Sequence, residues 1–156
     1  MEYRLLGSTG VEVSALSLGT MLFGTATDSA ESARIFARSR DAGINLFDCA
    51  NVYGGGRAEE VLSDLIAPCR DEIILTSKVA SSTGQGRNQR GASRLHIVTQ
   101  VEQSLRRLKT DRIDIYFIHH FDATTPIEET LSALDQLVRS GKILYPAVSN
   151  WAAWQV

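Results

Sequence analysis

Cysteine is scarce in this chain, with only Cys49 and Cys69 among 156 residues. Two such residues make neither a disulfide framework nor a zinc pattern, and no set of side chains is read as a metal site. Both thiols are expected to serve as small apolar fillers in a reducing compartment. An excess of charge is missing as well: formal net charge is −2 and the pI is about 5.9. That leaves no basic field to draw nucleic acid or anionic lipid. No window approaches a membrane span, and Met1–Arg4 does not open a basic region followed by a long apolar run, so the expected location is cytoplasmic. No glycine-rich dinucleotide fingerprint follows a strand, and Gly141-Lys142 lacks the serine or threonine of a phosphate loop.

With 44% hydrophobic and 22% charged residues, the composition is that of one globular domain, expected to span residues 1–156 without an internal linker. Tyr3–Leu6 and Val11–Val13 flank a Gly7–Gly10 turn and read as a hairpin. Strand and helix then alternate. Ala15–Leu18 reads as a strand, and Asp28 with Glu31 opens a helix that ends at Gly43. Ile44–Phe47, Ile73–Leu75, Ile113–Ile118 and Ile143–Val148 read as further strands. Between them lie a helix over Ala58–Ile66, one capped by Ser93 with a stripe of Ile97, Val101, Leu105 and Leu108, and one opened by Pro126. The stripe of this last helix is Ile127, Leu131, Leu134 and Val138. Such alternation calls for a parallel sheet with helical crossovers.

Four polar side chains fall near the ends of these strands: Asp48, Tyr53, Lys78 and His119. Parallel α/β barrels gather their chemistry at the carboxyl ends of strands, so the placement has the form of a catalytic site. Taken singly each has a plain alternative: a turn or helix cap for Asp48, a turn aromatic for Tyr53, a solvated end for Lys78, a satisfied core histidine for His119. As a set they suit carbonyl reduction by hydride. Negative charge grows on the carbonyl oxygen and must meet a proton donor already in position. A phenol is a poor acid, an ammonium beside it stabilises the phenolate, and a carboxylate keeps that ammonium charged. Tyr53, Lys78 and Asp48 would fill these roles, with His119 bonding the substrate oxygen.

The stretches Phe47–Gly54, Thr76–Val79, Ile113–His119 and Val148–Trp151 resemble the aldo-keto reductases, as do Ser93–Ile97, Ser104–Asp111 and Thr125–Thr130. These motifs follow the family's order and spacing over essentially the whole chain. The resemblance implies a (β/α)8 TIM-type barrel, of which this chain covers the N-terminal hairpin and roughly the first five strands. It implies reversible reduction of aldehydes or ketones with NADPH, Tyr53 as proton donor, and Asp48, Tyr53, Lys78 and His119 as the catalytic four. Ser149 and Asn150 match the pair that holds the nicotinamide carboxamide. Gly19, Thr20 and Met21, with Asp48, match the loop along the nicotinamide end. His120 is placed in a loop facing substrate or solvent, and His96 on a helix surface.

Such a barrel takes about 250 residues, so 156 leaves its last three strands unaccounted for. The missing C-terminal half, or another copy, is then needed to complete the barrel. Pro146 falls inside the fifth barrel strand, although proline prefers an edge or a strand start. Ala80–Arg94, polar and glycine-rich, is expected to be a mobile loop that helps shape a substrate pocket. The competing reading is a non-catalytic half-barrel or a channel-β-subunit-like binding module, against which the retention of all four polar residues counts.

Overall fold

The computed structural model describes residues 1–156. Tyr3–Leu5 (β1) and Glu12–Ser14 (β2) pair antiparallel as the expected hairpin. Five parallel strands follow: Ser17–Gly19 (β3), Leu46–Asp48 (β4), Ile74–Val79 (β5), Ile113–Ile118 (β6) and Ile143–Val148 (β7). They lie in the sheet in chain order, β3-β4-β5-β6-β7. A doubly wound sheet would reverse direction at a switch point; this one never does, as in the wall of a barrel. Ser29–Asp41 (α1), Arg57–Ile66 (α2), Arg94–Leu108 (α3) and Ile127–Arg139 (α4) form the crossovers.

Local chemistry sets the helix starts. The Asp28 carboxylate accepts the Glu31 N–H at 2.8 Å, and the Ser93 hydroxyl accepts the His96 N–H at 3.3 Å. The core lies between sheet and helices. Phe47 of β4 is fully buried against Phe36 of α1, with ring centroids 4.7 Å apart. Leu62 and Ile66 from α2, Leu75 from β5, Ile97 and Leu108 from α3 and Ile118 from β6 are equally enclosed. Each such side chain contributes about 1.5–3 kcal/mol on burial. No helix is long and apolar enough to cross a membrane.

Four expectations need correction. β5 runs on to Val79 rather than ending at Leu75, because Thr76–Val79 find partners on β6, so Lys78 lies within the strand. Pro126 is the residue before α4 and not its first helical position. The buried face of α4 is Thr130, Ala133, Leu134 and Leu137, whereas Ile127, Leu131 and Val138 are exposed. The face is rotated toward Thr130, whose hydroxyl donates to the Ala92 carbonyl at 2.9 Å. His96 is not on a surface either: it is buried beneath the segment that joins β5 to α3.

Pro146 finds its explanation in the ladder. The Ser149 N–H donates to the Ile118 carbonyl at 3.0 Å, so by the alternation of a strand the nitrogen of Pro146, three residues earlier, points away from β6. β7 is the last of these five strands, and the missing donor falls on its side away from β6.

Candidate active site

Lys78 points to the inner face of the sheet while its neighbour Ser77 points to the helices, as strand alternation requires. It is nearly buried, and its ammonium is fully engaged. Nζ donates to both Asp48 carboxylate oxygens at 2.6 Å, to the Cys49 carbonyl at 2.8 Å and to the Tyr53 hydroxyl at 3.3 Å. Asp48, at the end of β4, also accepts the Thr76 hydroxyl at 2.6 Å. Its backbone carbonyl takes the N–H and the hydroxyl of Thr20, each at 2.9 Å. Carboxylate and ammonium are thus held from three strands.

Tyr53 is delivered by a single tight turn, Tyr53–Gly56. Gly56 has φ of +99°, and a Cβ there would lie 2.9 Å from the Arg107 side chain, so only glycine closes the turn. His119 follows β6, where its N–H donates to the Val79 carbonyl at 2.7 Å. Its ring meets that of Tyr53 edge to face at a centroid distance of 6.0 Å, and its Nδ1 is 3.3 Å from the Ser81 hydroxyl. Burial, then the neighbouring His120 and Lys78, push the His119 imidazole below its ordinary value, with Asp48 opposing. The ring is therefore neutral near pH 7 and can donate one hydrogen bond while accepting another.

The remaining sequence candidates fall around this group. Asn150, in a left-handed conformation at φ +57°, donates its amide to the His119 carbonyl at 2.8 Å and to the Ser149 hydroxyl at 3.0 Å. Gly19 and Met21 are exposed beside β4, whereas Thr20 is buried and spent on Asp48. His120 is exposed and stacks on His119 at 4.6 Å. Cys49 is no competing nucleophile: burial, then Glu59, push its thiol up to about 12.

The model of the aldo/keto reductase family matches residues 15–156. The chain belongs to this family. Among its curated relatives, an uncharacterized oxidoreductase of Bacillus subtilis, YrpG, is 41% identical over the whole chain, which covers 51% of that protein. An aldo-keto reductase of the same organism, YhdN, is 39% identical, with 49% of it covered. A probable voltage-gated potassium channel subunit beta of Arabidopsis thaliana is 40% identical, with 48% covered. A solved aldo-keto reductase from Bacillus halodurans, in its holo form, superposes with a TM-score of 0.88 at 36% identity, over 96% of this chain and 50% of its own. The chain spans about half the length of the curated relatives it matches. The expected fold class holds: five parallel strands and their helices form part of the barrel of an aldo-keto reductase.

Several aldo-keto reductase contacts escaped the sequence reading. Thr76 sits two residues before Lys78, on the same face of β5, so strand alternation alone could have found it. Ser81 was hidden in the long loop. On the far side of β5, Glu59 is completely buried, accepting the Ser77 hydroxyl and the Arg107 Nε–H, each at 2.6 Å. Nothing in the sequence distinguishes this glutamate from its solvated neighbour Glu60.

Proposed function

We propose that the protein reduces aldehydes or ketones by hydride transfer from NADPH, with residues 1–156 as one domain that carries the proton-delivering half of the site. The observation that carries this reading is the Lys78 ammonium, locked between the Asp48 carboxylate and the Tyr53 hydroxyl. NADPH, when bound, supplies the hydride. Tyr53 donates the proton as charge develops on the carbonyl oxygen, and Lys78 stabilises the phenolate left behind. Asp48 keeps Lys78 charged. His119, neutral, donates a hydrogen bond to the same oxygen.

The chain's own groups fit the nicotinamide end of the cofactor. Asn150 spends its amide N–H groups on His119 and Ser149, which leaves its Oδ1 to accept and the Ser149 hydroxyl to donate. Acceptor and donor side by side complement a primary carboxamide. Gly19 and Met21 offer exposed surface on the same rim, and Thr20 braces Asp48 instead of binding directly. Two free cysteines suit a reducing, cytoplasmic setting. Two plant relatives named as probable potassium channel β subunits support a second reading, a binding module on the same barrel.

The test is NADPH oxidation by an aromatic aldehyde with the protein expressed from its full reading frame. Tyr53→Phe should lower the rate at least ~100-fold, the usual scale of a general acid. Turnover equal to wild type in that variant would end the assignment, and absence of turnover with intact NADPH binding would favour the binding module.

A further inference from the structure

Beside His119 lies a concavity of about 700 Å³ between the β5–α3 segment and the β6–α4 segment. It is walled almost entirely by polar groups. Ser81 and His120 are among its lining residues, and both touch His119: one through the 3.3 Å contact to Nδ1, the other through the 4.6 Å ring stack. Arg87 and Arg90 line the same cavity. The cavity thus brings two guanidinium groups into the same space as two neighbours of His119.

Those guanidinium groups have no protein partner, although Arg94, just beyond, is bound by Glu129 and Gln136. The acid lining the cavity is Asp122, and it is already saturated. Its carboxylate accepts the Ala92 N–H, the Thr124 N–H and the hydroxyls of Thr124 and Thr125, at 2.6 to 2.9 Å. Burial by itself would raise this carboxyl; those hydrogen bonds outweigh it and hold the group well below the usual range. Asp122 is thus fixed as an anion that organises the wall and has no lone pair to spare for the arginines.

The segment bearing the arginines is also shaped before any ligand arrives. The Gly91 N–H donates to the Ala80 carbonyl and the Thr83 N–H to the Gln89 carbonyl, both at 2.9 Å, and Gly86 donates to the Gln89 side chain at 3.0 Å. Its C-terminal end is clamped by the Thr130 hydroxyl on the Ala92 carbonyl at 2.9 Å. The backbone carrying Arg87 and Arg90 is consequently preformed, while their exposed side chains are left for a ligand to order.

From this arrangement we infer that the site prefers carbonyl substrates bearing a carboxylate at the end remote from the reacting carbon, with Arg87 and Arg90 as the residues that read it. A guanidinium fork matches a carboxylate in geometry as well as charge. The inference rests on the carbonyl-reducing function proposed above, and it adds a substrate class to it. It assigns Arg87 and Arg90 to specificity and leaves the chemistry to Tyr53 and its partners.

The test compares kcat/KM for 4-carboxybenzaldehyde with that for its methyl ester, methyl 4-formylbenzoate, in the protein expressed from its full reading frame. The free acid should be favoured on the order of tenfold, two partly exposed charge pairs being involved. R87A/R90A should erase that preference and leave ester turnover unchanged. R87K/R90K should keep part of it, and added salt should erode it in the wild type. Equal values for acid and ester in the wild type, or a preference that survives in R87A/R90A, would overturn the inference while leaving the reductase reading intact. If neither aldehyde is turned over, the reductase reading fails on its own. Binding then decides the arginine site separately: saturation-transfer NMR should show benzoate binding more tightly than benzamide, with the difference lost in R87A/R90A. Equal binding of the two would overturn it.

Discussion

Two carboxylate–cation pairs flank the same strand, one on each face of β5, and they have been put to different uses. Asp48–Lys78 lies on the inner face, with the Asp48 side chain 31% exposed. Glu59–Arg107 lies on the helix side, with the Glu59 side chain at 0%. Lys78 and Ser77, adjacent in sequence, are the points at which the strand touches each pair. The charges and the 2.6 Å distances are alike. What differs is the third contact. Lys78 reaches a hydroxyl on a turn facing the barrel mouth, where a substrate can approach, whereas Glu59 is closed off by protein on every side. Two ion pairs of equal length thus divide into one open to the barrel mouth and one that ties α2 and α3 to the sheet.

Removing Glu59 should have the largest effect on folding. Glu59→Ala leaves the Arg107 charge and the Ser77 hydroxyl without their acceptor, and the loss should fall in the range of about 3–5 kcal/mol typical of a broken buried pair. Urea denaturation would read it, and a loss below about 1 kcal/mol would show the pair to be dispensable. Lys78→Met should reverse the pattern. Activity should fall at least ~100-fold, about 2.7 kcal/mol in the barrier, while the denaturation midpoint moves much less. Equal damage to stability in the two variants would erase the distinction between the faces.

The histidines sharpen the comparison through pH. His96 and His119 both lie below the ordinary value of 6.5, in each case with burial as the main cause. A group whose folded-state value is depressed contributes stability that is fully present above its unfolded value and is lost as pH falls. Melting temperature should therefore decline as the solution is acidified below about pH 6.5, and His96→Asn should flatten that slope without affecting the reaction. An identical slope in the variant would remove His96 from the account.

The smallest effect belongs to the exposed side of α4. In α3 the stripe read from the sequence, Ile97, Val101, Leu105 and Leu108, is buried throughout; in α4 only Leu134 of the expected stripe is. Leu131→Lys should change stability by no more than about 0.5 kcal/mol, as for a surface site. Leu134→Ala should cost about 2–5 kcal/mol.

The strands and the site were largely legible because each depends on local pattern. Strand alternation and the polar residues at or near strand ends survive in one dimension, so Asp48, Lys78 and His119 could be singled out as candidates before the fold was known. Faces set by neighbouring elements were not legible. α4 turns about one residue from its apolar stripe because Thr130 bonds the Ala92 carbonyl, a contact made by a loop from 38 positions earlier. His96 reads as a polar surface residue at the start of a helix until the segment above it is folded over. Glu59 is buried because Ser77 and Arg107 come to meet it from 18 and 48 residues away.

Pro146 carries a consequence for the company this chain keeps. The side of β7 away from β6 offers another strand a ladder with one rung missing at its centre. A second copy adding itself there would forgo a backbone hydrogen bond, about 0.5–1.5 kcal/mol, and would meet a pyrrolidine ring where an amide should be. Whatever strand lies beside β7 must therefore leave its own acceptor opposite Pro146 to another donor, which marks that position as a place where the barrel ladder is interrupted.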